Sequence, residues 1–132
     1  MREIKFRVWD NAVKKYIDSR YVSIDGLGLL YVAKRVIKDC FRLPNTRKSP
    51  WFTIEQYTGL KDKNGTEIYE GDVVEYDDLI YLVKYQLSRF MLSTPGKMSI
   101  CLSELVYDCD TNQLNCEIVD SIHEKHELLE WW

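Results

Sequence analysis

The sequence predicts a mainly β fold of the β-rich α+β class, with its second part folded as a small antiparallel barrel or sandwich. Three observations point there. Ile4 to Val8 alternate apolar and charged side chains, the apolar runs after residue 51 are of strand length, and turn signals separate those runs at short intervals. A parallel neighbour needs a crossover of about a dozen residues or more, so closely spaced reversals favour antiparallel pairing.

From the N-terminus, "EIKFRVWD" (Glu3 to Asp10) sets Ile4, Phe6 and Val8 against Lys5 and Arg7, the period of a half-buried strand. Asp10-Asn11 supplies a turn, and "KKYID" returns as the second arm of a β hairpin. "RYVSIDGLG" reads as a third strand that Asp25-Gly26 breaks. In "LLYVAKRVIKDCFR", Leu29, Val32, Ala33, Val36, Ile37, Cys40 and Phe41 recur at helical spacing, with Lys34, Arg35, Lys38 and Arg42 on the opposite face; this predicts an amphipathic helix over 29–42. The same stretch also alternates as Val32-Lys34-Val36-Lys38-Cys40-Arg42, so a strand reading stays open. Pro44 ends either element, and "PNTRKSP" is the best linker candidate. The chain is therefore expected to divide into a hairpin region with a helix, residues 1–50, and a β-barrel domain, residues 51–132.

In that second region the strand-like runs are "WFTIEQY", "TEIY", "DVVEY", "IYLVKY", "FMLS", "SICLSELVY" and "CEIVDSI". Thr94-Pro95-Gly96-Lys97 suits a type II turn, because proline presets φ and glycine accepts a positive one. The most tightly specified stretch is "QYTGLKDKNGTEIYEGDVVEY", Gln56 to Tyr76. Asn64-Gly65 is a strong hairpin signal, since both residue types tolerate the left-handed backbone of a tight reversal, and Glu70-Gly71-Asp72 provides a second one. Asn64, Gly65 and Gly71 are read as structural turn residues. The neighbouring acids Asp62, Glu67, Glu70, Asp72 and Glu75 lack the alternate ligand positions, central glycine and final glutamate of a calcium loop, so they read as a solvated rim.

With 132 residues, 45% hydrophobic and 30% charged, the chain suits one core or two small halves and is not disordered in composition. Its N-terminus carries Arg2, Glu3, Lys5 and Arg7 and so has no signal-peptide pattern, and no apolar run reaches the about 18 residues of a membrane span. A cytoplasmic protein with reduced cysteines is expected. The net charge of −3 conceals a polarity: residues 1–50 carry twelve Lys/Arg against five Asp/Glu, and residues 51–132 carry six against sixteen. Such a charge dipole suits head-to-tail homo-oligomers or nucleic acid on the basic half.

The metal-like set is Cys101, Cys109, Cys116, His123 and His126. Seven and six residues separate the cysteines and two separate the histidines, which departs from the close pairs of zinc sites, so no metal or other cofactor is expected. No nucleophile-elbow or phosphate-loop motif is present, and no catalytic residue is assigned. For nucleic acid, Lys34, Arg35, Lys38, Arg42, Arg47 and Lys48 form a candidate basic face beside Trp51 and Phe52, with the aromatics equally readable as core. For self-association, the tail Leu128-Leu129 with Trp131-Trp132 is apolar enough to need a cover.

"REIKFRVWD", the central "QYTGLKDKNGTEIYEGDVV" and the terminal "EIVDSIHEKHELL" together resemble the YopX family of phage and prophage proteins. Where that family often has a proline before Glu-Leu-Leu, this chain has Lys125-His126, and Glu130-Trp131-Trp132 extends past Leu129; Leu27 to Pro50 carries no resemblance. The resemblance implies a largely β protein with an SH3-like barrel in its C-terminal part, encoded by a phage or integrated element and located in the bacterial host cytoplasm. No catalytic residues come with it. A non-enzymatic binding or assembly module is therefore expected, with a nucleic-acid-binding accessory protein as the alternative and an enzyme of unknown reaction third. A small-molecule ligand is not specified by any motif.

Overall fold

The computed structural model describes residues 4–24, 30–33, 40–43, 52–86, 88–105, 107–108 and 110–123. Two units are distinguished, Phe6–Glu55 on one hand and Met1–Lys5 with Gln56–Trp132 on the other.

In the first unit, β1 (Phe6–Asp10) pairs antiparallel with β2 (Lys15–Tyr16), Trp9 opposite Tyr16. This is the expected hairpin. Its turn is held by Asp10, whose Oδ1 accepts the N–H of Ala12 at 2.8 Å and whose carbonyl accepts that of Lys14 at 2.9 Å. Beyond a 3-10 turn at Ser19–Tyr21, β3 (Val22–Ile24), β4 (Leu30–Ala33) and β5 (Cys40–Leu43) form an antiparallel three-stranded sheet. The helix expected over 29–42 is thereby corrected at both ends: Leu30 lies opposite Leu43 and Ala33 opposite Cys40 in a strand ladder. Residues 34–39 lie outside the described residues. The segment satisfied both periods, and its β-branched and aromatic types suit a ladder in which β3 and β5 supply the backbone partners that a helix finds within itself.

Strand β6 (Phe52–Lys61) starts in this unit, and β1 lies between it and β2. Val8, Phe52 and Ile54 form a small core with Ile17 and Val22 packed on it. Of the alternating triplet Ile4, Phe6 and Val8, only Val8 is internal, while Ile4, ahead of β1, is 63% exposed.

The second unit contains the rest of β6 and the strands β7 (Glu67–Tyr69), β8 (Asp72–Tyr76), β9 (Leu79–Gln86), β10 (Arg89–Ser93), β11 (Ile100–Cys101), β12 (Tyr107–Asp108), β13 (Gln113–Leu114) and β14 (Glu117–Ser121). An antiparallel sheet runs in the order β11-β10-β9-β8-β14. β6 pairs antiparallel with β7 and meets β13 in parallel at Lys61 and Gln113. Among the described residues these sheets form no closed barrel; the expected β-rich, antiparallel class holds without closure. Closure requires the two edge strands to pair along their length, and the β11 edge is only two residues long.

Alternation along β8 and β9 explains how the five-stranded sheet is held. Val74, Tyr81 and Val83 enter a core with Ile68, Leu92, Leu102, Leu105, Leu114 and Cys116, whereas Val73 and Leu82 pack with Ile122 in a separate cluster. Adjacent residues point to opposite faces, so the sheet is covered on both. Each fully buried aliphatic side chain contributes about 1.5–3 kcal/mol.

The reversals fall where the sequence places them. Gly65 donates its N–H to the Asp62 carbonyl at 3.0 Å and adopts φ +82°, and Gly71 adopts φ +88° at the second turn. Asn64, however, is not left-handed. The turn is a four-residue reversal, Asp62 to Gly65, whose last residue alone is left-handed, not a two-residue loop in which both are. At Thr94–Lys97 the Lys97 N–H donates to the Thr94 carbonyl at 3.4 Å, as the Pro-Gly pair predicts.

The two-residue loop between β8 and β9 uses Asp77 and Asp78, with φ +52° and +64°. Non-glycine residues there carry a steric penalty that glycine lacks. Asp78→Gly is expected to raise stability by about 1 kcal/mol, read as a higher denaturation midpoint at unchanged slope. An unchanged or lowered midpoint would show that this turn is not strained.

Candidate ligand-binding cleft

The acids of the central stretch are largely occupied by backbone. Asp62 is 1% exposed. Its Oδ1 accepts the N–H groups of Asn64 and Thr66, both at 2.9 Å, and its Oδ2 accepts that of Ile118 at 3.0 Å. Asp72, also buried, accepts the Tyr69 N–H at 2.8 Å. Glu70 accepts the Gln56 N–H at 3.0 Å, and Glu67 pairs with Lys5. The solvated rim read from the sequence is thus corrected for Asp62 and Asp72, which fasten turns and strands from within. A signal existed: an aspartate opening D-x-N-G-T is placed to accept the N–H groups two and four residues ahead.

Among the described residues no three His, Cys, Asp or Glu side chains stand together as a metal site. Cys109 and His126 lie outside them. Cys101 and Cys116 sit in different environments. Cys116 is buried, and burial together with the Asp62 charge pushes its thiol up to about 11. The folded protein therefore keeps this proton where an unfolded thiol, near 9.0, releases it. The resulting stability is complete below about pH 9 and is lost as the pH rises through about 11. Relative to the natural chain, Cys116→Ala is expected to flatten the fall of unfolding free energy over that window; parallel curves would overturn the assignment.

The predicted basic face is not brought together by the described residues. Arg42 is on β5, while Lys34, Arg35, Lys38, Arg47, Lys48 and Trp51 lie outside them. Phe52 belongs to the small core of the first unit and is no stacking platform.

A cleft of about 260 Å³ does form within the second unit. Gln56, Thr58 and Leu60 of β6 make one wall. Tyr85, Ser88, Arg89 and Phe90, from the end of β9 and the start of β10, make another. Cys101, Leu102 and Ser103 complete it from β11 and the 3-10 turn that follows.

Local structure positions each wall. Between Tyr57 and Lys61 the β6–β7 register slips, Tyr57 facing Tyr69 and Lys61 facing Glu67. Gly59 takes φ +87° in this irregularity. Thr58 replaces ladder bonds there, its Oγ1 donating to the Ile68 carbonyl at 2.7 Å and accepting the Leu60 N–H at 3.2 Å. Such bulges re-aim side chains and occur often beside functional sites. Across the β9–β10 pair, the Tyr85 and Phe90 rings meet edge to face at 5.0 Å between centroids. The Cys101 Sγ lies 3.0 Å from the Ser103 Oγ, and this hydrogen bond, assisted by Arg89, lowers the thiol below its usual range against the opposing effect of burial.

No described carboxylate is within ion-pair distance of Arg89. Sequence reasoning did not single out Arg89, Ser103 or Gln56, because three separated segments contribute them and no spacing links them.

A family model described as YopX protein matches residues 5–130. Protein EF1440 from Enterococcus faecalis, known from a crystal structure, is 25% identical, with 98% of this chain and 99% of that chain covered and a TM-score of 0.57. Protein yopX from Bacillus subtilis, known from an X-ray structure, is 16% identical, with coverages of 98% and 97% and a TM-score of 0.59; that likeness concerns the fold. No curated protein matches the chain. No described helix is long and apolar enough to cross a membrane.

Proposed function

Because the chain belongs to the YopX protein family, we propose that it acts as a non-enzymatic binding or assembly module, in the setting the resemblance implies, a bacterial cell carrying a phage or prophage. The observation that supports this reading is the division of labour among its polar groups. The buried acids Asp62 and Asp72 hold backbone N–H groups, and Glu55 holds Arg7 and Tyr16, so the groups best suited to proton transfer are engaged in structure. The cleft presents a cation, an amide, hydroxyls, rings and the Cys101 thiol, which is engaged with the Ser103 hydroxyl, a lining suited to recognition.

Capture of the tagged full chain's partners from lysogenic cells, with and without nuclease, tests the reading. A defined protein or small molecule that stays bound after nuclease treatment supports it. Partners that disappear with nuclease would overturn it in favour of a nucleic-acid accessory role using the basic half of the sequence.

A further inference from the structure

We propose that the cleft formed by β6, the β9–β10 turn and the segment 101–103 binds a small anionic molecule with a single ring, an aromatic carboxylate or phosphomonoester, whose charged oxygens face Arg89. This inference rests on the binding-module reading and assigns a ligand class to it.

Charge makes the first argument. Residues 51–132 carry sixteen acids against six bases, so any concave surface in this part of the chain is expected to contain carboxylates. Among the described residues the lining of this cleft contains none, and it contains Arg89. A hollow whose described lining has Arg89 and no carboxylate, in an otherwise acidic half, favours an anion over a cation or a second basic group. The guanidinium offers a planar fork of donors that fits two oxygens of a carboxylate or phosphate together. Its neighbourhood adds the Ser88 and Ser103 hydroxyls and the Gln56 amide as further hydrogen-bonding groups.

Size and apolar lining make the second. A cavity of about 150 Å³ accommodates a benzene molecule. The 260 Å³ available here therefore takes one ring with its anionic substituent. Leu60 and Phe90 supply apolar surface for the ring, and Tyr85, 45% exposed, gives an aromatic edge at the rim. The polar and apolar parts of the lining thus match the two ends of one amphipathic molecule.

The full chain, labelled with ¹⁵N, is titrated at constant ionic strength with benzoate, phenyl phosphate and the uncharged isostere benzamide, and amide shifts are followed. Expected are saturable shifts at residues 56–60, 88–90 and 101–103 with at least one anion, and binding weaker by about tenfold or more for benzamide and for Arg89→Gln, since one charge-assisted contact is removed in each case. Tighter binding of benzoate assigns the carboxylate and tighter binding of phenyl phosphate the phosphomonoester. Arg89 is exposed, so the variant's own amide spectrum reports whether its fold is retained, and Arg89→Lys is expected to recover part of the affinity. Absence of saturable shifts at these amides, or equal affinity for benzamide or for Arg89→Gln, would overturn this ligand class while leaving the binding reading to the capture experiment. Conversion of a probe, seen as new proton signals in the same sample, would instead overturn the non-enzymatic reading and leave the ligand class standing.

Discussion

Asp62→Ala is expected to lower the unfolding free energy by about 3–5 kcal/mol, out of proportion to a change at a turn. Three backbone N–H groups, those of Asn64, Thr66 and Ile118, lose their acceptor together. Each bond to a charged oxygen is worth about 1.5–3 kcal/mol, and water entering the space left by the side chain recovers part of the sum. The carboxylate also joins residues far apart in sequence, since Asn64 and Thr66 lie within the turn and Ile118 within β14. Lys63 reinforces the link by donating its N–H to the Cys116 carbonyl at 2.9 Å.

Asp62→Asn separates geometry from acceptor capacity. Its amide oxygen is able to serve Asn64 and Thr66, but the NH₂ group then opposes the Ile118 N–H, donor against donor. A loss of about 2 kcal/mol is expected, smaller than that of Ala. Denaturant unfolding with a shared slope measures both changes. A loss under about 1 kcal/mol for Asp62→Ala would mean that water satisfies these donors equally well, and the fastening role would fall.

Glu55→Ala is expected to cost about 3 kcal/mol through the other unit. The Glu55 side chain is 5% exposed and accepts the Arg7 Nε at 2.8 Å and the Tyr16 hydroxyl at 2.9 Å. Arg7 also lies over the Tyr16 ring at 4.5 Å, and Tyr16 meets Trp9 edge to face at 4.9 Å. Removing the carboxylate takes away the acceptor of the Arg7 Nε–H and of the Tyr16 hydroxyl in a largely buried place. Breaking one side of a buried pair is costly, whereas replacing both sides by apolar groups is often close to neutral. The double variant Arg7→Met with Glu55→Leu is therefore expected to recover most of the loss. A double variant as unstable as the sum of its parts, in a double-mutant cycle, would show that Arg7 and Glu55 are not coupled, and the buried-pair account would fall.

The two predictions differ in how much of their basis the sequence shows. Asp62 precedes a visible Asn-Gly turn, and its bonds to Asn64 and Thr66 follow from the local D-x-N-G-T spacing. Its bond to Ile118 spans 56 residues and leaves no local trace. Glu55 sits in a strand-like run where alternation gives no hint that a carboxylate turns inward. The segment 29–42 shows the opposite difficulty, a pattern with two legible periods. The candidate cleft is the least legible feature, because Gln56, Arg89 and Ser103 are ordinary residues until four strands and a turn converge.

By itself the sequence determined the β class, the hairpin at the start and the positions of the reversals at Gly65, Gly71 and Pro95-Gly96. These depend on the sterics of φ and on the period of the strand, both local properties of a few consecutive residues. Tertiary structure alone decided that β14 lies beside β8, that Asp62 turns inward to meet it, that the sheets stay open among the described residues, and that Arg89 lines a hollow to which no described carboxylate contributes. Those outcomes depend on which distant segments satisfy one another's backbone groups and exclude water, and no single segment carries that information.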